Sequence, residues 1–334
     1  MTHRPVLTEE ILALFQLKSG GRLLDATLGH GGHTAAYLTV ASGSTVVGLD
    51  ADPRALNQAK QNLKQFGDRV TYLHANFANL QDSLTGGGIL PPKFSHILFD
   101  LGLGSHQLAD TRRGFSFQSS GPLSMRYGEL RHMPDSHLTA VNHLTERLGH
   151  YPDAIELIMG LTPEQLAELI RFYGEERYAR RIAAAIKSAP GPLRDAAALA
   201  QVIASSTKTG YERGRIHSAT RTFQALRLAV NRELEALEVV LPQAVDLLET
   251  KGVLAVISFH SLEDRIVKYF FRQHENLEVL TKRPVTASQE EITNNPRARS
   301  AKLRAARLIT KTPKHDTNLS KHNTSPLRLP ARKH

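Results

Sequence analysis

The sequence predicts an α/β fold in which helices flank a largely parallel sheet and an α-helical insertion interrupts it. The stretch 23–50, LLDATLGHGGHTAAYLTVASGSTVVGLD, reads as strand, glycine turn, helix and strand, which is one βαβ unit. Further apolar, strand-like runs occur at 70–73, 95–101 and 253–259. Between 134 and 209 only helical patterns remain, and they indicate the insertion.

The remaining elements follow in chain order. Thr8 is expected to cap a first helix, and the sequence TPEQ at 162–165 is a capping box with proline at the first helical position. A long amphipathic helix is predicted from 216 to 241, with a kink or break at Pro242. Two final strands are predicted at 277–280 and 301–309.

The length of 334 residues is sufficient for two domains. The expected division is a first part of the α/β domain at 1–111, a substrate loop and α-helical insertion at 112–215, a second part of the α/β domain at 216–311, and a basic tail, expected to be disordered, at 312–334.

Composition excludes several classes of protein. The chain has no cysteine, which rules out disulfides, thiolate nucleophiles and Cys-ligated zinc. It has no apolar run near the length of a membrane span and no signal-peptide core, so a cytoplasmic protein is expected. The net charge of +10 comes from residues 297–334, and it suggests a polyanionic partner such as RNA. A solvated tail that only aids solubility explains the charge equally well.

Two carboxylates end the strands of the βαβ unit. Asp25 and Asp50 are expected at the carboxyl ends of adjacent parallel strands, where open α/β sheets bind ligands. A carboxylate there can accept hydrogen bonds from ribose hydroxyls or from an amino group. The glycines between the two strands let a ligand approach the backbone.

The glycine turn fits two classes of cofactor. Gly29, Gly31 and Gly32 with Ala35 approximate the dinucleotide fingerprint but do not decide the class. Asp25 would repel a pyrophosphate, whereas the sulfonium and amino group of S-adenosylmethionine are cationic. The turn therefore favours S-adenosylmethionine over a nicotinamide cofactor; a turn without a ligand is the remaining alternative.

No metal site or hydrolytic triad is predicted. The histidines are scattered, and His30 and His33 are better suited to orienting the turn than to binding zinc. Ser258, His260 and Asp264 lack the G-x-S-x-G elbow of a hydrolase.

Longer blocks of sequence carry a more specific signal. They closely resemble the ribosomal RNA small-subunit methyltransferase H family, also called the MraW family, in order over nearly the whole chain. The blocks are DATLGHGGH (25–33), GLDADPRAL (48–56), FDLGLGSHQL (99–108), RGFSF (113–117), GPLSMR (121–126), YGEERYARRIAAAI (173–186), HSATRTFQALRLAVN (217–231), ISFHSLEDRIVK (257–268) and NPRARSAKLR (295–304).

The resemblance implies a Rossmann-like, class I S-adenosylmethionine-dependent methyltransferase fold. It implies methylation of the N4 amino group of a cytidine in the decoding centre of 16S rRNA, with the small ribosomal subunit as partner. A homodimer is compatible with the sequence. The implied cofactor-binding residues are Gly31, Gly32, His33, Asp50, Phe77, Asp100 and Gln107, and Asp100 is also the candidate catalytic residue.

The residue that stacks on the base and the effect of three departures from the family pattern are not decided by the sequence. Phe115, Phe117 or His260 is expected to stack on the extruded base. The chain departs from the family pattern at Ser124, where Asp is usual, and at Gly104 and His106, where Ser and Pro are usual. If the missing carboxylate orients substrate, the alternative function is a catalytically impaired ribosome-assembly or RNA-binding factor that retains the cofactor pocket.

Overall fold

A computed structural model provides the structure of the protein. It describes residues 5–309, except for residues 18, 90–92, 105–109, 118–120, 129, 131, 192, 194, 208–210 and 212–215. The predicted tail at 312–334 and the candidate residue Gln107 therefore lie outside the described residues.

A seven-stranded sheet forms the centre of the molecule. Its strands are β1 (Arg22–Asp25), β2 (Thr45–Asp50), β3 (Val70–His74), β4 (Phe94–Asp100), β5 (Leu248–Ser258), β6 (Leu277–Val279) and β7 (Lys302–Leu308). They lie in the order β3-β2-β1-β4-β5-β7-β6. Neighbours from β3 to β5 pair in parallel, and β7 runs antiparallel to both β5 and β6. The predicted Rossmann-like α/β class is confirmed.

Helices connect and cover these strands. They are α1 (Thr8–Phe15), α2 (Gly32–Val40), α3 (Pro53–Asn62), α4 (Leu80–Gly86), α5 (Thr139–Leu148), α6 (Ala154–Gly160), α7 (Pro163–Gly174), α8 (Ala179–Lys187), α9 (Ala196–Ser206), α10 (Thr220–Asn231), α11 (Glu233–Leu247), α12 (Ser261–Gln273) and α13 (Gln289–Asn294). No helix in the described part of the chain is long and apolar enough to cross a membrane.

The two faces of the sheet build two hydrophobic cores. Successive residues of a strand point to opposite faces. Leu24 and Phe99 accordingly belong to one cluster, while their neighbours Leu23 and Leu98 belong to the other. The first cluster continues into α5 to α11, and the second is closed by α1, α2 and α3. The helices between β4 and α10 thus share a core with the sheet; the predicted domain boundaries stay predictions.

Two local predictions about helix ends are wrong. Leu7, with a left-handed backbone, occupies the cap position of α1, and the Thr8 hydroxyl donates to the carbonyl of Pro5 instead. The long helix breaks at Arg232 (φ 52°), and α11 continues through Pro242 without the predicted break; a kink at Pro242 stays a prediction. Burial of the residues around the proline, among them Leu241, outweighs the one backbone hydrogen bond that proline removes. The predicted capping box at Thr162 is confirmed.

Candidate functional site

A cavity of about 810 Å³ opens at the carboxyl edge of the sheet. The strand order reverses between β1 and β4, and ligands of open α/β sheets bind at such a switch point. The ends of β2 and β4 border the cavity, as does the turn after β1. Pro5 and Val6 of the N-terminal arm complete this side of its wall.

Asp25 shapes the turn from inside the protein. Its side chain is only 1% exposed and does not border the cavity. One carboxylate oxygen accepts from the Thr34 hydroxyl at 2.7 Å, and the other from the backbone N–H of Thr27 at 3.4 Å. Burial raises the pKa of Asp25 to about 6. The structure therefore does not place Asp25 among ligand-facing groups.

Asp50 faces the cavity and fixes the turn at the same time. Its two carboxylate oxygens accept from the backbone N–H of Gly29 and of Asp52, each at 2.8 Å. An ionised carboxylate offers about four acceptor positions. The Asp50 side chain thus has the capacity to accept hydroxyl donors of a ligand in the cavity.

Gly31 and Gly32, which are adjacent in the turn, differ in their position relative to the cavity. Gly31 adopts a φ of 81°, its N–H donates to the carbonyl of Leu28 at 2.8 Å, and it does not border the cavity. A Cβ there would lie 2.6 Å from Cδ1 of the buried Leu63. Gly32 does border the cavity. The requirement for glycine at position 31 is conformational, and a direct contact of Gly31 with the cofactor stays a prediction.

His33 and Asp100 meet on the cavity wall. His33 Nε2 lies 3.5 Å from Asp100 Oδ2, and the backbone N–H of Asp100 donates to Thr27 Oγ1 at 2.6 Å. Asp100 Oδ1 is buried and has no hydrogen-bond partner among the described residues. An unpaired acceptor on a cavity wall suits a ligand that brings an N–H or O–H donor.

Phe77 contributes an aromatic face to the same wall. It begins a short 3₁₀ helix, Phe77–Asn79, where the Asn76 side chain accepts from the backbone N–H of Ala78 at 2.9 Å. The Phe77 ring packs edge-on against Phe99, with ring centroids 5.8 Å apart. It is half-buried and remains on the cavity wall, so a planar ligand group can stack there.

The cavity wall also contains residues that the sequence did not single out. Tyr127, Asn231 and Glu233 border it, and so do Phe259 and Glu263. All but Tyr127 and Glu233 fall inside blocks that resemble the family. No spacing rule connects them, because packing brings them together from distant parts of the chain.

Glu233 is held by a buried ion pair. Arg227 donates to both of its oxygens, from Nε at 2.8 Å and from Nη2 at 3.1 Å. Burial raises the pKa of Glu233, although the Arg227 guanidinium opposes that change. Glu263 differs, since one of its oxygens accepts from the backbone N–H of Phe259 at 2.8 Å and of His260 at 3.3 Å.

None of the three expected base-stacking residues borders the cavity in the described structure. Phe115 is buried and packs against Tyr127, with centroids 5.5 Å apart. Phe117 stacks on His217 at 4.5 Å, with 8° between the ring planes. The His260 side chain caps α12. Phe259 and Tyr127 are aromatic residues that do border the cavity.

The departures from the family pattern fall in different places. Gly104 borders the cavity, whereas His106 lies outside the described residues. Ser124 does not border it, and its carbonyl accepts from the N–H of Ala154 at the start of α6. Among the described residues, no three histidine or acidic side chains are placed to hold a metal ion.

Comparison with known proteins places these features in context. A model of the MraW methylase family matches residues 1–309. A relative from Sorangium cellulosum called ribosomal RNA small subunit methyltransferase H is 46% identical over 310 residues, which cover 92% of this chain and 91% of the relative. A relative of the same name from a Cyanothece species is 44% identical over 307 residues, covering 92% and 95%. The solved structure of an rRNA methylase from Streptococcus thermophilus is 12% identical, with a TM-score of 0.39 and coverage of 93% and 99%.

Proposed function

The chain belongs to the MraW methylase family, and from that premise we propose that it methylates the N4 amino group of a cytidine in the decoding centre of 16S rRNA. It is a Rossmann-like class I methyltransferase whose cofactor is S-adenosylmethionine. When bound, this cofactor supplies an electrophilic methyl group on a sulfonium. The relatives' names, which state an rRNA of the small subunit, support this substrate.

The cavity at the switch point carries the proposal. Asp50, Phe77 and Asp100 border this one cavity, and each ends or follows a different parallel strand. We assign Asp50 to the ribose hydroxyls and Phe77 to the adenine face. Gly32 and His33 line the turn beside them, and Gln107 completes the proposed set from outside the described residues.

Asp100 is the proposed catalytic residue. The lone pair of cytosine N4 is delocalised into the ring, so the amino group is a poor nucleophile. An acceptor that bonds an amino hydrogen localises this lone pair and takes the proton as the new N–C bond forms. The buried, unpartnered Oδ1 of Asp100 is such an acceptor, and Thr27 fixes the backbone at this position.

The charge of the chain supports an RNA partner. Eleven Lys and Arg residues and one acid lie in 297–334, against a neutral remainder. Contacts with phosphates make RNA affinity fall steeply as salt rises. The proposed partner is the small ribosomal subunit and the proposed location is the cytoplasm; a homodimer stays a prediction.

The alternative function is a catalytically impaired assembly factor, and it depends on Ser124. Because Ser124 does not border the cavity, its hydroxyl has no place beside the proposed reacting groups. The structure offers no observation in favour of this alternative among the described residues.

Methyl transfer to immature small subunits tests the proposal. We expect tritium from labelled S-adenosylmethionine to enter 16S rRNA, and Asp100→Asn to reduce the rate by about 100-fold or more. Mass spectrometry of rRNA nucleosides from cells with and without the protein should show N4-methylated cytidine only when it is present. Binding of the subunit without any incorporation would instead support the assembly factor.

A further inference from the structure

We propose that Glu233 selects the acceptor base by accepting a hydrogen bond from its exocyclic amino group, in a subsite formed by Tyr127, Glu233 and Phe259. This inference rests on the proposed function and deepens it, because it assigns the residue that distinguishes a cytosine from a uracil. It concerns the part of the cavity wall that the Tyr127 loop, the start of α11 and the β5–α12 connection form.

The cavity wall is made by two separate sets of elements. The turn 26–33 and the ends of β2 and β3 form the first set, and they belong to the part of the sheet that binds a nucleotide in this fold. The loop containing Tyr127, the start of α11 and the β5–α12 connection form the second set. Asp100 belongs to the same wall. Both sets border one cavity, so a base held by the second set shares that cavity with a cofactor held by the first.

The hydrogen bonds of Glu233 and Glu263 distinguish these two glutamates. Two N–H groups of Arg227 occupy Glu233 and the Tyr127 hydroxyl also interacts with it, which leaves at most about two of its roughly four acceptor positions for a ligand. Glu263 accepts backbone N–H groups on one oxygen and has His260 Nε2 at 3.0 Å from the other. The Glu233 side chain is 9% exposed and that of Glu263 only 2%. Glu263 organises the helix start, and Glu233 is the group open to a ligand.

The charge on Glu233 makes this contact selective. Burial raises the pKa of Glu233, the ion pair with Arg227 opposes that rise, and an ionised carboxylate only accepts hydrogen bonds. The edge of cytosine presents an amino donor where uracil presents a carbonyl acceptor. A uracil would set its O4, which is an acceptor, against the acceptor oxygens of the carboxylate with no hydrogen between them. Cytosine is thus attracted and uracil is repelled at the same position.

Aromatic side chains beside Glu233 suit a flat base. Tyr127 is fixed through its backbone, because its N–H donates to Asn231 Oδ1 at 2.9 Å. A Cβ on Gly102 would lie 3.4 Å from the Phe259 ring, so the backbone passes close to that ring. Both aromatic residues border the cavity, where they can stack on a base taken out of its own stack.

Discrimination between cytidine and uridine tests the assignment. The enzyme loaded with S-adenosylhomocysteine would be titrated with immature small subunits carrying cytidine or uridine at the methylated position. We expect wild type to favour cytidine by about tenfold or more. Glu233→Gln, whose amide also donates, should reduce that preference to within about threefold and leave affinity for S-adenosylhomocysteine unchanged.

Two further variants separate loss of selection from loss of folding. Arg227→Met combined with Glu233→Gln removes the buried ion pair as a unit, while Glu263, which Arg227 also attracts, keeps His260 Nε2 at 3.0 Å, and the double variant should lose the preference as well. Glu235→Gln changes a buried glutamate of the same helix that does not border the cavity, and it should retain the preference.

The outcomes distinguish the two proposals. If wild type methylates and prefers cytidine while the folded Glu233 variants keep that preference, the Glu233 assignment is wrong and the proposed function stands. If wild type neither methylates the subunits nor discriminates between them, the proposed function fails and the assignment fails with it.

Discussion

Two groups of residues on the cavity wall are assembled in different ways. Gly32, His33 and Asp50 come from one short segment, 25–50, in which strand ends and turn are neighbours along the chain. Tyr127, Glu233 and Phe259 come from distant parts of the chain and are brought together only by packing. A local pattern thus predicts the first group, whereas the second depends on how distant elements meet.

The two carboxylates of the βαβ unit show a second contrast. Asp25 and Asp50 end adjacent strands and look equivalent in the sequence. In the structure Asp25 is buried within the turn, and Asp50 faces the cavity while binding the backbone of Gly29. Residues at equivalent strand positions can therefore separate into one that is buried in the turn and one that borders the cavity.

The largest expected effect concerns the turn itself. Gly31→Ala should lower the free energy of unfolding by about 4 kcal/mol, because a positive φ and an overpacked contact with Leu63 add. Gly88→Ala is the matched control, since Gly88 has a φ of 74° and open space around it; its loss should be about 1 kcal/mol. Urea unfolding measures both. Equal losses would show that Leu63 imposes no requirement.

The buried carboxylate at Asp25 should make stability depend on pH. Its folded pKa of about 6 exceeds the ordinary value of 3.8, so the protonated form is favoured by folding. Stability from this group is complete below pH 3.8 and is lost as pH rises through about 6, by roughly 3 kcal/mol in all.

Comparison with Asp25→Asn, which cannot titrate, isolates this effect. The difference in unfolding free energy between wild type and variant should shift against wild type from pH 4 to pH 6 and then level off. Urea unfolding at half-unit pH steps gives the curve. A difference that stays constant across this window would contradict the buried, ligand-independent role of Asp25.

Asp50 should affect affinity where Asp25 affects stability. Asp50→Asn removes a charged acceptor from the cavity wall and should weaken S-adenosylhomocysteine binding by about 30-fold, or about 2 kcal/mol. Asp25→Asn should change that affinity by less than about threefold. Isothermal titration calorimetry compares the two; equal losses would remove the distinction between the carboxylates.

Phe77 is expected to give the smallest effect. Phe77→Leu retains apolar volume but loses the aromatic face, so binding of S-adenosylhomocysteine should weaken by about fivefold, or about 1 kcal/mol. Phe115→Leu is the control, because Phe115 is buried off the cavity; it should lower the unfolding temperature and leave affinity unchanged. An unchanged affinity for Phe77→Leu would exclude stacking on this ring.

Periodicity and turn chemistry predicted most of the fold. The βαβ unit, the later strands and the capping box at Thr162 all depend on neighbouring residues, and all are confirmed. The break at Arg232 was not predicted, since a buried guanidinium that donates to Thr145 Oγ1 at 3.0 Å holds it. The break predicted at Pro242 is absent, because burial of α11 stabilises the helix more than the low helix propensity of proline destabilises it.

The residues of the candidate site also divide into those that the local sequence predicts and those that it does not. Gly32, His33 and Asp50 could be located from the sequence, because a glycine turn between parallel strands always brings its neighbours to the carboxyl edge. The residues expected to stack on the base could not be located in this way. Phe115 packs against Tyr127 and Phe117 stacks on His217, and no spacing in the sequence predicts these contacts.

By itself, the sequence predicted the strands and the glycine turn, because these depend on interactions between residues close along the chain, and its longer family-like blocks predicted the cofactor class. Only the tertiary structure decided which carboxylates border the cavity and which are buried beneath it. Burial and hydrogen-bond partners are properties of neighbours in space, and for Asp25, Glu233 and Glu263 those properties separate side chains of the same chemistry.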